Sequence, residues 1–222
     1  MMKALVAGAT GETGRRIVQQ LVAKNISVKA LVRDLDQARS QLPAGVECVQ
    51  GDVLKRESLE IAIADCTVVL CATGARPSFD PTGPYQVDYE GTKNLVNVAK
   101  AHQIQQFVLV SSLCVSQFFH PLNLFWLVLW WKKQAEDYLR KSGLTYTIVR
   151  PGGLKSDDSD SRPLIMAAPD TLFEGNVPRW KVAETCIEAL SLPAAQNKTV
   201  EIVAQDTATV QSYGDLFAGV VG

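Results

Sequence analysis

Residues 3–15 read Lys-Ala-Leu-Val-Ala-Gly-Ala-Thr-Gly-Glu-Thr-Gly-Arg. Lys3–Ala7 is a short apolar run that reads as a buried strand, and Ile17–Val22 is apolar at helical spacing. Gly8, Gly11 and Gly14 therefore occupy a strand-to-helix turn, the setting in which a glycine loop cradles a dinucleotide. Without a Cβ the backbone approaches a pyrophosphate closely. The helix start adds unpaired N–H groups and a partial positive charge. Gly8, Thr10, Gly11, Glu12, Thr13 and Gly14 are expected to hold that pyrophosphate. A tight turn without a ligand is the alternative; the strand before and the helix after favour a cofactor.

The bulk properties fit one NAD(P)-binding domain over residues 1–222. Apolar content of 47% and charged content of 20% are ordinary for a globular chain. A net charge of −1 gives no global attraction for nucleic acid or anionic lipid, so neither is expected as a partner on charge. No apolar stretch reaches the roughly 20 residues that cross a bilayer, and no signal peptide is expected ahead of the first strand. Cys48, Cys66, Cys71, Cys114 and Cys186 are scattered without a C-x-x-C pair. Neither a metal site nor a disulfide framework is expected, and a reducing cytoplasm is the expected location. A closed α/β domain of this length is expected to act as a monomer.

Downstream, strands alternate with helices. Ser27–Val32 reads as the second strand and ends at Arg33-Asp34. An acid at that strand end serves the adenosine ribose, whereas an arginine accommodates a 2′-phosphate. Arg33 and Arg15 together point to NADP(H); Asp34 is the competing ribose ligand. Asp36–Leu42 reads as helix, and Val46–Gln50 as the third strand, closing on Gly51-Asp52-Val53. Asp52 suits either the adenine amine, with Val53 beside it, or the cap of the next helix. Thr67–Ala72 reads as a central parallel strand, ending at Ala72-Thr73-Gly74 beside the cofactor. Tyr85–His102 reads as one long helix, with Asp88, Glu90, Lys93 and Asn94 facing away from Val87, Leu95, Val98 and Ala99. Gln106–Val110 is the fifth strand; Ser111 and Ser112 at its carboxyl end face the crevice where ligands bind. This alternation demands a Rossmann-type doubly wound parallel α/β sheet with helices on both faces, followed by a small C-terminal substrate region.

Phe118–Trp131 is rich in aromatic residues and lacks any charged side chain. It suits an apolar wall for a flat substrate, a contact with a protein partner or membrane surface, or a bulky core helix. His120 has no ligand partner in the sequence nearby and is expected to be structural. Helix continues through Lys132–Leu139. Thr145–Val149 enters Arg150-Pro151-Gly152-Gly153, where Pro151, Gly152 and Gly153 suit close passage beside a nicotinamide. Lys155–Arg162 reads as a mobile polar loop. Arg179 and Trp180 precede a helix at Val182–Leu192 and are candidates to fold over the substrate. Thr199–Val203 is the final strand and Ser212–Val221 the closing helix.

The chain resembles the atypical branch of the short-chain dehydrogenase/reductase superfamily. Gly8-x-x-Gly11-x-x-Gly14-Arg15, Leu31-Val32-Arg33, Gly51-Asp52, Ser111-Ser112 and Arg150–Gly153 carry the resemblance, which covers nearly the whole chain. Within that branch Gly8–Gly14, Leu31–Asp34, Gly51–Leu54 and Lys100–His102 are similar to flavin and biliverdin-IXβ reductases. His120–Asn123, Trp131-Lys132, Ala135-Glu136, Gly152–Leu154 and Val177–Arg179 are similar to the NmrA-like plant and cyanobacterial NAD(P)H-binding type, related to a chloroplast import-associated protein. Both resemblances imply NADP(H).

The superfamily's Tyr-x-x-x-Lys pair is broken here: four residues before Lys132 and Lys133 stand Val128 and Leu129. Alcohol–ketone chemistry needs that phenol, whereas a flavin or linear tetrapyrrole accepts hydride directly into a conjugated system. The expectation is an NADPH-dependent reductase of a flat conjugated acceptor. Lys132 is placed at the ribose and nicotinamide, Ser111, Ser112 and Lys132 form the catalytic group, and Ser112, Arg179 and Trp180 line the substrate. The alternative is a non-catalytic NADP(H)-responsive module that meets a protein partner through Phe118–Trp131.

Overall fold

A computed structural model describes residues 2–76 and 78–221. Strands β1 (Lys3–Ala7), β2 (Ser27–Val32), β3 (Glu47–Gln50), β4 (Val68–Cys71), β5 (Gln106–Val110) and β6 (Tyr146–Pro151) form a parallel sheet in the order β3-β2-β1-β4-β5-β6. β7 (Gly153–Lys155) pairs with β9 (Asn176–Pro178) in a separate two-stranded sheet. β8 (Leu164–Ala167) and β10 (Lys198–Ala204) complete the large one, β10 parallel to β6 and β8 antiparallel at the edge.

Both faces of the sheet are covered, which is why its strands are apolar without alternation. Along β1, Ala4 and Val6 pack into one core and Leu5 and Ala7 into the other, as the two-residue period of a strand requires. Helices α1 (Glu12–Ala23), α2 (Leu35–Gln41), α6 (Arg179–Glu188) and α7 (Tyr213–Gly219) contribute to the first core. α3 (Arg56–Ile63), α4 (Thr92–Ala101) and α5 (Val128–Arg140) contribute to the second. No helix among the described residues is long and apolar enough to cross a membrane.

Several sequence expectations are corrected. The helix expected over 85–102 opens as a π-helix, Tyr85–Gly91, and only then becomes α4. Lys155–Arg162 is tied down: Arg16 Nε meets Asp158 at 2.7 Å, Arg179 Nη1 donates to Ser156 Oγ at 2.8 Å, and Arg162 Nη2 reaches Asn176 at 2.7 Å. The helix expected at 182 begins at Arg179.

Phe118–Trp131 is no core helix. Phe119 is 95% and Leu124 84% exposed, with Phe118, Phe125, Trp126 and Trp130 also exposed. A 3-10 turn, Pro121–Leu124, and left-handed Trp126 (φ 55°) and Leu127 (φ 58°) interrupt the segment. Left-handed residues cost about 1–2 kcal/mol each. Asn123 stabilises the bend: its Oδ1 accepts from Leu129 and Trp130 N–H, and its Nδ2 donates to Phe118 O at 2.8 Å. His120 is structural, its Nδ1 accepting from Leu122 N–H at 3.2 Å.

Candidate cofactor and reduction site

The glycine loop is built by close approach. Gly8 has φ +80°, and a Cβ there would lie 2.6 Å from Ala72 O; a Cβ on Gly14 would lie 2.1 Å from Gly8 O. β1, β4 and α1 thus converge where only glycine fits. Gly11 caps α1 without a side-chain acceptor, and its N–H closes the turn on Gly8 O at 2.9 Å. Arg15 N–H returns to Gly11 O at 2.8 Å, so the N–H groups of Glu12, Thr13 and Gly14 precede the first helical bond and remain for an anion.

At the end of β2 the two competing residues separate. Asp34 caps α2, accepting from Gln37 N–H at 2.9 Å. Arg33 is exposed, and its guanidinium has no partner among the described residues. Arg15 is ion-paired to Glu12, and Arg16, missed by the sequence reading, takes the other Glu12 oxygen at 3.1 Å. These hydrogen bonds, Arg16 first, lower the Glu12 carboxyl below its ordinary range. Glu12 thus neutralises its neighbours and leaves phosphate contact to its backbone.

Asp52 is no helix cap. It accepts from Leu54 N–H at 2.9 Å in a local turn, and α3 starts after Lys55 without a side-chain cap. Val53 presses on Gly91, where a Cβ would come within 2.6 Å of Val53 Cγ2, and its carbonyl accepts from Asn94 Nδ2 at 3.1 Å.

The chemical centre lies where β4, β5, the π-helix and α5 meet. Lys132 Nζ bonds Asp88 Oδ1 at 2.7 Å, with the Asp88 side chain 1% exposed. Asp88 Oδ2 also accepts from Ala75 N–H at 3.2 Å. Asp88 therefore faces inward, against the solvent-facing position expected from helical periodicity; the π-helix turns it there. Gly74 lies alongside, where a Cβ would stand 3.8 Å from Asp88 Oδ1 and 3.9 Å from Lys132 Nζ. Ser111, at the end of β5, is buried and its Oγ has no partner. Ser111, Thr73, Asp88 and Lys132 line one cavity of about 10 Å³, about the room of a single water. A buried hydroxyl without a partner costs free energy, so this centre fits a bound polar group. Ser112, next along, is half-buried.

The nearby tyrosines are engaged elsewhere: Tyr138 donates to Asn97 Oδ1 at 2.6 Å, and Tyr85 and Tyr89 pack on Trp131 with ring centroids 4.9 and 5.9 Å away. Trp130 is about 160° around α5 from Lys132 at 3.6 residues per turn. Trp130 therefore turns away from the cavity.

Pro151–Gly153 stand at the end of β6, but the glycines answer to a neighbour in the chain. A Cβ on Gly152 would meet Gly175 O at 2.7 Å, and Gly153 N–H donates to that oxygen at 2.9 Å. Arg179 and Trp180 open α6 and are engaged within the chain. Arg179 holds Ser156, and Trp180 lies in the first turn of α6, its carbonyl accepting from Gln20 on α1 at 2.9 Å.

Behind the centre, Arg150 is fully buried and bidentate to Glu136 at 2.9 and 2.7 Å, with Asp170 at 2.8 Å and Glu201 at 3.2 Å. Burial opposes its charge, but the Glu136 carboxylate holds the guanidinium proton more tightly than usual. Glu201 also accepts from Asp170, Thr171 and Leu172 N–H at 2.8, 3.0 and 2.7 Å. Sequence reading placed Arg150 only as part of a motif; a charge inside the apolar strand Tyr146–Pro151 was the available signal.

The family model described as NAD(P)H-binding matches residues 8–193. An uncharacterised chloroplastic protein of Arabidopsis thaliana is 45% identical, over 99% of this chain and 83% of its own. Protein TIC 62, chloroplastic, of the same plant is 38% identical over 91% of this chain, which spans 36% of that longer protein. Sanguinarine reductase of Eschscholzia californica is 30% identical over 89% of this chain and 87% of its own. Among solved structures, a Bacillus halodurans protein described as an NAD-dependent epimerase/dehydratase superposes with a TM-score of 0.86 at 25% identity, covering 98% of this chain and 99% of that one. A Veillonella parvula short-chain dehydrogenase/reductase in complex with NADP has the same fold, with a TM-score of 0.73 at 18% identity and coverage of 95% and 99%. The chloroplastic relatives overturn the expectation of a cytoplasmic protein. Unpaired cysteines speak only for a reducing surrounding, which is not particular to the cytoplasm.

Proposed function

The chain belongs to the NAD(P)H-binding family, and from that premise we propose that it is an NADPH-dependent reductase of a flat conjugated acceptor, a flavin or a biliverdin-like tetrapyrrole. The observation that carries this reading is Lys132, the lysine of the broken catalytic pair, bound by buried Asp88 at 2.7 Å beside a Ser111 Oγ that has no partner. NADPH supplies the hydride. Arg33, exposed and unengaged, binds the 2′-phosphate; Glu12, Thr13 and Gly14 N–H groups bind the pyrophosphate; Asp52 and Val53 border the adenine. Lys132, held by Asp88, orients the ribose, and Thr73, Gly74 and Pro151–Gly153 border the nicotinamide.

Ser111 Oγ lies at the nicotinamide end and donates its hydrogen bond to the acceptor, with Ser112 beside it. A serine hydroxyl is too weak an acid to protonate an isolated alkoxide. It suffices to hydrogen-bond an acceptor whose charge is delocalised. Sanguinarine reductase, a relative along most of its length, is named for a reduction, in agreement with this class. The test is NADPH oxidation against FMN, FAD, biliverdin isomers and a simple quinone, with NADH beside it and a protein-free blank. Turnover of one conjugated acceptor with NADPH preferred supports the proposal.

A second reading has its own observation. Phe119, Leu124 and Phe79, at 95%, 84% and 99% exposed, lie on adjoining loops joined by Trp126 Nε1 donating to Ser78 O at 3.2 Å. Such an apolar surface marks an interaction site. A cofactor-responsive binding module would bind NADPH, turn over none of these acceptors, and lose a specific protein partner on Phe119→Ser with Leu124→Ser.

A further inference from the structure

The first turn of α1 is clasped by a distant segment. A helical side chain leans toward the helix N-terminus, so the guanidinium of Arg16 lies back over that turn. Its Nη1 donates to Glu12 O at 2.8 Å and to Glu12 Oε2 at 3.1 Å. Its other edge faces the strap Ser156–Asp160: Nε donates to Asp158 Oδ1 at 2.7 Å, and Nη2 stands 3.5 Å from Ser156 O. Arginine grips an anion through two parallel N–H groups. Here one edge is taken by its own helix and one by the strap. The strap is fastened at both flanks, by Arg179 Nη1 donating to Ser156 Oγ at 2.8 Å and Arg162 Nη2 donating to Asp160 Oδ2 at 2.6 Å. Between them Asp157 turns back on the strap, accepting from Ser159 N–H at 3.0 Å and Ser159 Oγ at 2.6 Å. Asp158 reaches across to α1 from a side chain that is 53% exposed.

We infer that Arg16 is a cofactor-binding residue held in reserve: Asp158 occupies it in the free protein, and the pyrophosphate of NADP(H) takes it from Asp158 and unclasps the strap. The inference rests on the pyrophosphate lying at the N–H groups of Glu12, Thr13 and Gly14, as proposed above, and on no acceptor. Magnitudes decide the exchange. An exposed ion pair is worth up to about fivefold in an equilibrium. A charge-assisted bond to a phosphate is worth roughly 10- to 100-fold, and the N-terminus of α1 draws the anion to the same turn. The Glu12 carbonyl belongs to α1 and stays where the helix puts it, so the strap is the edge that opens. Asp158 thus lowers cofactor affinity, and cofactor occupancy is relayed to the strap as freedom of Asp157–Ser159.

The experiment titrates NADPH calorimetrically into the full chain and its variants. Asp158→Asn should tighten NADPH about two- to fivefold. Asp157→Asn removes the same charge one residue away and should leave the affinity unchanged. Arg16→Met should weaken NADPH about tenfold, and Asp158→Asn added to it should change nothing further. In the 15N-labelled parent, the heteronuclear NOE of the Asp157–Ser159 amides should fall on saturation with NADPH, to the level that Asp158→Asn shows without it. Asp157 and Asp158 are exposed, so the two charge variants keep the test decisive if Arg16→Met does not fold. Unchanged or weaker NADPH binding by Asp158→Asn, equal tightening by Asp157→Asn, or an NOE that rises with NADPH would each overturn the clasp while leaving cofactor binding in place. A parent that binds no NADPH would overturn the pyrophosphate placement as well. Acceptor turnover enters none of these readouts, so the reductase reading can fail separately.

Discussion

Substituting Asp88 and Lys132 singly and together separates their contribution to the fold from their role at the cofactor. The pair is 2.7 Å long with Asp88 1% exposed, so either single change strands a charge in a desolvated place. Breaking a buried pair from one side costs about 3–5 kcal/mol. For a chain of this length each kcal/mol lowers Tm by roughly 2–4 °C. Asp88→Leu and Lys132→Met should each lower Tm by about 6–20 °C. The double variant leaves no stranded charge and should recover most of that loss, giving a coupling of at least about 3 kcal/mol in urea denaturation. Cofactor affinity should behave otherwise. Losing one charge-assisted hydrogen bond costs about 1.5–3 kcal/mol, so Lys132→Met should weaken NADPH roughly 10- to 100-fold. The double variant should stay weak despite its restored stability. Additive stabilities would refute the pair, and regained NADPH affinity in the double variant would remove Lys132 from the ribose.

Other predictions rest on single contacts. Arg33→Ala should weaken NADPH far more than NADH by titration calorimetry, and equal weakening would remove Arg33 from the 2′-phosphate. Arg150→Met removes the cation paired with buried Glu201 and leaves Glu136 with Arg140 alone, and should cost about 3–5 kcal/mol; a Tm within 2 °C of the parent would show the network to be dispensable. Lys29 and Lys3 pull the half-exposed Asp65 down to about 2. Its contribution is therefore present above the unfolded value of about 3.9 and lost as pH falls towards 2. Asp65→Asn should flatten the acid limb of stability in that window, by about 1 kcal/mol or less after screening; an unchanged limb would assign it to other carboxylates.

Much of the parallel half was legible because both of its faces are buried. β1, β2 and β5 coincide with their apolar runs, and the glycine spacing located the loop that β1, β4 and α1 form. The C-terminal elements were harder. β7 and β9 have three residues each and β8 has four, too short for a period to appear, and their partners are distant in sequence. Asp88 was assigned outward because a regular 3.6-residue turn puts it there, and one π-helix changes the phase. The exposed aromatic stretch defeats any reading that equates apolar with internal. Gly152 has its reason in Gly175, a contact that no local pattern announces.

The Arg150 node bears on how the chain is made. Arg150 on β6 needs Glu201 on β10, 51 residues later, and Glu201 alone fastens the backbone of Asp170–Leu172. While the ribosome has delivered β6 but not β10, Arg150 has Glu136 as its buried counter-charge and β6 has one open edge. The Arg150 node therefore waits for the last strand. A nascent chain stalled before Lys198 should remain sensitive to protease across α5 and β6, and one stalled with β10 free of the ribosome should not.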